Sequence, residues 1–204
     1  MPRRDYDPAQ LGPAEVYPLL NSVVVPRPIA WVSTRSASGV DNLAPHSFFT
    51  IASAYPPVVQ FTSVGEKDSQ RNAVATGEFV VAVCTEDLLG QVNATGTDDP
   101  ADTSEFDAVG IERLPSTVVA PPGVAASPVN LECVLEGTRS FGDSTVVFGR
   151  VVWFSVDEAA LRDGRPAIDL LRPVARLGAN EWSTIGRVTD HRRVPYAELP
   201  DPGR

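Results

Sequence analysis

The sequence predicts a mainly β protein: an antiparallel sheet closed into a barrel, with short helices at the barrel ends. Three observations carry this. Runs rich in β-branched and aromatic residues recur at 29–34, 58–63, 79–85, 129–137 and 144–156, the composition that suits a pleated, buried surface. Gly, Pro and Ser punctuate them at short intervals, which favours tight turns between neighbouring strands. The segments with helical character are short and interposed, unlike the regular strand and long-helix alternation of a parallel sheet.

Taken in order, residues 1–16 form a Pro- and acid-rich peripheral tail, and a short helix is expected over 14–21. Residues 29–34 read as a strand. Ser36-Ala37-Ser38-Gly39 turns the chain, and 43–51 returns as the second arm of a hairpin. Pro45 lacks an amide donor, so this arm is an edge strand or a loop. Pro56-Pro57 introduces a strand at 58–63, and Gly65 opens a turn. A short helix follows over 70–76, with Asp68 or Ser69 as its cap and Gly77 as its stop. The nearly continuous apolar run 79–85 should be buried on both faces. A second helix is expected over 87–95, and the acidic run 97–102 reads as a solvated loop. Residues 129–137 and 144–156 form a hairpin through Ser140-Phe141-Gly142-Asp143. A Gly-containing loop at 176–180 precedes a peripheral tail over 187–204. No internal repeat or linker divides the chain, so 1–204 is read as one domain.

The 204 residues suffice for a core, and 43% hydrophobic with 21% charged residues is ordinary globular composition. A net charge of −9 repels polyanions, which excludes nonspecific nucleic-acid or anionic-membrane binding and confines any phosphate site to a local cluster. No window reaches the ~20 apolar residues of a bilayer span, and no signal-peptide core follows the N-terminus. The expected location is the cytoplasm. Cys84 and Cys133 each sit in an apolar run, as buried inert thiols do.

Neither G-x-G-x-x-G nor G-x-x-x-x-G-K-[ST] occurs, so no Rossmann or P-loop nucleotide site is indicated. Two histidines, His46 and His191, and no metal-ligand spacing argue against a zinc enzyme. No G-x-S-x-G elbow surrounds a serine.

Lys67-Asp68-Ser69-Gln70-Arg71-Asn72 gathers two cations, a hydroxyl and amides where a helix should begin. A helix start presents unpaired amides and a positive dipole end to an anion. The same residues also fit an ordinary capped surface helix whose Lys and Arg face water. The arm Asn42-Leu43-Ala44-Pro45-His46-Ser47-Phe48-Phe49 can offer backbone groups to the polar edge of a flat ring, with Trp31 or Phe48 as apolar walls. It equally fits a Pro-bent, half-buried hairpin.

In order, Arg27-Pro28-Ile29-Ala30-Trp31-Val32-Ser33-Thr34, Gly39, the 42–49 arm, Pro56-Pro57, the 67–72 cluster, Gly77-Glu78-Phe79-Val80-Val81, Val147-Phe148-Gly149-Arg150-Val151-Val152 and Arg176-Leu177-Gly178 make residues 17–185 resemble the flavin reductase-like family of FMN-binding split β-barrels. The resemblance implies a homodimer with FMN, or alternatively FAD, near the subunit interface. It implies that Trp31, Ser33, Thr34, Asn42, Ala44, Pro45, His46 and Ser47 meet the ring and ribityl chain. Lys67, Ser69, Arg71 and Asn72 would hold the phosphate. His46 stands where the family often has an aromatic residue, and Trp182 replaces a frequent Tyr, to close the pocket or to pack. The implied activity is hydride transfer from NADH or NADPH to flavin, with reduced flavin supplied to a partner monooxygenase. A flavin-binding electron carrier or storage protein is the alternative.

Overall fold

The β-branched runs become one seven-stranded sheet. In chain order its strands are β1 (Ala30–Arg35), β2 (Asp41–His46), β3 (Phe49–Ser53), β4 (Val58–Val64), β5 (Glu78–Val83), β6 (Val129–Phe141) and β7 (Ser144–Val156). They hydrogen-bond in the order β2-β1-β5-β6-β7-β4-β3, every pair antiparallel. The two edge strands, β2 and β3, are separated only by Ser47 and Phe48. The sheet edges therefore meet at this corner, and the sheet curls into a split barrel. The computed structural model describes residues 1–97, 100 and 102–198; the expected acidic loop lies outside the described residues at 98, 99 and 101, as does the tail at 199–204.

Strand β1 shows why the barrel has two apolar layers. Ala30 and Val32 belong to the interior cluster with Val59, Phe61, Ala73, Phe79, Val81, Cys133, Val147 and Val151. Ile29 and Trp31 belong to an outer cluster with Leu43, Ala82, Cys84, Leu88, Val92 and Phe106. Alternate residues of one strand thus feed opposite layers, the period-2 rule applied to a strand buried on both faces. Strand β5 divides in the same way, as its unbroken apolar run requires. Cys84 and Cys133 are buried free thiols in different layers, and burial pushes both thiols up.

Helix α1 (Pro13–Val23) buries only Asn21. Helix α2 (Asp68–Thr76) starts differently from expectation. Its N-cap is Lys67, in extended backbone and without a side-chain cap bond, because both expected caps are engaged elsewhere: Asp68 pairs with Arg71, and the Ser69 hydroxyl accepts from Asn42. Gly77 ends the helix at φ +77°, as its lack of a Cβ allows. The helix expected over 87–95 divides into a 3₁₀ turn (Glu86–Leu88) and α3 (Leu89–Ala94). A further helix, α4 (Glu105–Val109), was not expected. The long β6–β7 hairpin closes more tightly than expected, with Gly142 at φ +58° beside Asp143. Trp182 packs against the outer cluster with the Arg176 guanidinium 4.7 Å above its ring. Among the described residues no helix is long and apolar enough to cross a membrane.

Candidate functional site

An edge strand tolerates proline because its outer amides need no ladder partner, and β2 uses this freedom at Pro45. Its residues Asn42, Ala44 and His46 stand opposite Thr34, Val32 and Ala30 of β1. Two amide-to-hydroxyl bonds then fasten α2 to these strands. Asn42 Nδ2 donates to Ser69 Oγ at 3.1 Å, and Asn72 Nδ2 donates to Thr34 Oγ1 at 3.2 Å, both buried. The first holds the N-terminal turn of α2 against β2, and the second holds the middle of the helix against β1.

The opposite wall is the Ser47-Phe48 corner. Buried Arg27 organises it, donating to the carbonyls of Asn21, Val24 and Leu177 and approaching Ser47 Oγ at 3.5 Å. Its guanidinium lies 5.9 Å from the Phe48 ring, and Tyr17 of α1 lies 6.4 Å from Phe48. Burial, with Arg176 nearby, pulls the Arg27 pKa down from its ordinary value.

The third wall comes from the end of α3 and the start of α4. Trp31 Nε1 donates to Thr95 Oγ1 at 2.8 Å, fixing the turn that carries Gly96. A Cβ on Gly96 would lie 3.3 Å from Asn93 O and 3.5 Å from Pro45 Cγ, so glycine permits this close approach. Glu105, 6% exposed, accepts the Leu43 N–H through Oε2 at 2.8 Å.

These walls enclose a cleft of about 240 Å³ in which Lys67, Asp68 and Ser69 at the α2 start share a lining with Ala44, Pro45, His46, Ser47 and Phe48. His46 closes its floor. Its ring centroid is 4.7 Å from that of Phe61, and Nε2 is enclosed with no hydrogen-bond partner. Burial, aided by the Lys67 charge and partly offset by a Thr62 backbone hydrogen bond, lowers the imidazole pKa to about 4. It is neutral at pH 7.

Eight residues singled out from the sequence for ligand contact therefore line one cleft: Asn42, Ala44, Pro45, His46, Ser47, Phe48, Lys67 and Ser69. Thr34 and Asn72 lie beneath it as the bonded pair that seats α2. Trp31 is fully enclosed in the outer layer and supports Thr95 instead of forming a wall. Ser33 is fully buried, with Oγ unpartnered. Arg71 is exposed, ion-paired with Asp68, and outside the cleft lining. Tyr17, Thr95, Gly96 and Glu105 were missed. They arrive from segments far away in sequence, and nothing local marks them.

The chain matches a family model described as flavin reductase like domain over residues 22–172. It is 38% identical over 192 residues to an uncharacterised protein of Halalkalibacterium halodurans, covering 88% of this chain and 91% of that one. Nitrilotriacetate monooxygenase component B from Bacillus cereus superimposes with a TM-score of 0.89 at 31% identity, covering 94% of this chain and all of that one. The 2-nitrobenzoate 2-nitroreductase of Pseudomonas fluorescens does so with a TM-score of 0.88 at 29% identity, over 98% of this chain and all of that one. With the split barrel, the ordered motifs and a family model spanning most of its length, the chain belongs to the flavin reductase-like family.

Proposed function

We propose that the cleft holds FMN and that the protein is an NAD(P)H-dependent flavin oxidoreductase. One observation supports this reading above the others: the α2 N-terminus, with Lys67 and Ser69, and the small-residue arm 44–48 line the same cleft. The first amides of a helix have no intrahelical acceptor, and the dipole end is positive, so a phosphate meets oriented donors there. Lys67 adds a full charge and Ser69 a hydroxyl. At the other end Ala44, Pro45 and Gly96 leave room for a planar ring, and Phe48 and Tyr17 supply apolar walls. This donor set fits a flat phosphorylated cofactor.

When bound, the flavin supplies the redox chemistry by accepting hydride from a nicotinamide. The chain's own residues anchor the phosphate, orient the ring and limit water. Neutral His46 adds no charge beneath the ring at pH 7. FAD is the alternative cofactor. Anaerobic mixing of the FMN-loaded protein with NADH, and separately with NADPH, tests the activity: at least one is expected to bleach the flavin band. Tight FMN binding with no bleaching by either would replace this reading with that of an electron carrier or storage protein.

Lys67→Ala is expected to weaken FMN by about 10- to 100-fold, the worth of one charge-assisted contact, with riboflavin nearly unchanged. Arg71→Ala is expected to shift either ligand less than about threefold, because the exposed side chain already pairs with Asp68. Equal losses of both ligands in Lys67→Ala, measured by fluorescence titration, would remove the phosphate assignment.

The reading includes a homodimer. Leu20 and Val23 on α1, Val24 just after it, and Trp153 and Phe154 on β7 stand exposed, apolar residues that a second copy would cover. A monomer mass in sedimentation at micromolar concentration would remove that part. Similarity to a monooxygenase component B supports supply of reduced flavin to a partner monooxygenase.

A further inference from the structure

Arg27 is a buried cation without an anion. It is 8% exposed, and arginine stays charged at neutral pH, so its charge sits where burial ordinarily calls for a carboxylate partner. Its bonds go instead to the carbonyls of Asn21, Val24 and Leu177 and, at 3.5 Å, to Ser47 Oγ. These acceptors satisfy N–H groups and leave the net charge in place. Arg176 adds a second cation, standing directly opposite Arg27 where residues 27–28 and 175–176 pair as antiparallel strands. It bonds Ala179 O and lies over the Trp182 ring. Like charges facing each other across a strand pair are unfavourable, and burial and Arg176 both weigh against the Arg27 charge. Among the described residues no carboxylate pairs with either arginine. In a chain of net charge −9 this is a local positive spot. It borders the cleft, because Ser47 and Phe48, both beside Arg27, line it.

An unbalanced fixed charge matters most to a ligand whose own charge changes. In the proposed reaction a C–H bond of the nicotinamide breaks, its hydrogen and electron pair form an N–H bond on the flavin ring, and the nicotinamide leaves oxidised. The neutral ring thereby gains one negative charge, which persists until solvent supplies a second proton. We infer that the Arg27 charge, reinforced by Arg176, stabilises the reduced ring over the oxidised one and so raises the reduction potential of the bound flavin. A cation already fixed in place needs no reorganisation when the negative charge develops, and a partly buried site lets its field reach the ring without contact. The inference rests on the flavin reading above, with the ring against residues 44–48. It gives the two ends of the cleft separate tasks. Lys67 and Ser69 hold a phosphate charge present in both redox states, whereas Arg27 acts on the charge that appears on reduction.

The test is spectroelectrochemical titration of FMN-loaded wild type, Arg27→Lys, Arg27→Met and Arg176→Met, with fluorescence titration of oxidised FMN alongside. Arg27→Met is expected to weaken reduced flavin about tenfold more than oxidised flavin, which lowers the midpoint of a two-electron couple by about 30 mV. Arg27→Lys keeps the charge and is expected to stay within about twofold, or about 9 mV, of wild type. Arg176→Met leaves the Arg27 bonds untouched and is expected to give about threefold, or about 14 mV. It decides the matter if Arg27→Met does not fold or does not retain FMN. A wild-type potential in FMN-loaded Arg27→Met, or in Arg176→Met where that variant decides, overturns the inference and leaves the flavin reading standing. An equal drop in Arg27→Lys and Arg27→Met also overturns it, since the shape of the corner and not its charge would then set the potential. Wild-type protein that takes up no FMN overturns the flavin reading and this inference with it.

Discussion

Gly149→Ala is expected to lower stability by about 3 kcal/mol, which for a chain of this size moves the melting temperature down by roughly 6–12 °C. A Cβ built on Gly149 would lie 2.1 Å from Phe79 Cζ, 2.6 Å from Phe79 Cε1 and 3.1 Å from Cys133 Cβ. Phe79 is fully buried and cannot swing into solvent. It packs edge-on against Phe61 at 5.4 Å, and Phe61 in turn meets His46 at 4.7 Å. The inserted methyl thus presses through two rings onto the cleft floor, so FMN affinity should fall together with stability. Thermal unfolding of Gly149→Ala and of Gly149→Ala/Phe79→Leu measures this. The smaller leucine should recover part of the loss, a coupling that only neighbours show. A melting temperature within about 2 °C of wild type for Gly149→Ala would show that the barrel interior is not closely packed at this point.

A second large effect is expected on the acid side. The native His46 imidazole takes its proton only near pH 4, against 6.5 ordinarily. Between these values the unfolded chain binds more protons than the native one, so stability falls as pH falls from about 6.5 to 4 and is unaffected above that window. The shift corresponds to about 3 kcal/mol when fully expressed. His46→Phe removes the titrating group and places an aromatic ring beside Phe61. Urea unfolding at pH 7 and pH 4.5 should show wild type losing about 2 to 3 kcal/mol more than the variant. His191, the other histidine, is exposed and serves as the control position. Identical pH dependence in wild type and His46→Phe would mean that the imidazole is solvated when charged.

Strands were legible because a barrel built of local hairpins obeys short-range rules. Alternation, turn glycines and the edge proline at 45 each reflect the few residues around them. Gly77 was legible as a helix stop for the same reason. The α2 cap was not, since long-range bonding decides it: Asn42 claims the Ser69 hydroxyl that a local rule assigns to the helix. Trp31 was misplaced through a related limit. A strand buried on both faces gives no sign of which layer each side chain enters, and Trp31 enters the outer one. Glu105 and Gly96 were invisible because α3 and α4 reach β2 only through the folded topology. The cationic start of α2 and the flat arm could be read from their chemistry, but their meeting at one cleft is a property of barrel closure.

The proposed function requires this cleft to receive a flavin phosphate at the start of α2. A crystal structure of the protein with FMN tests that claim most directly. It should place the phosphate within hydrogen-bond distance of Ser69 Oγ and Lys67 Nζ, with the ring against residues 44–48. A phosphate lying away from α2, or a ring seated outside the cleft, would contradict it.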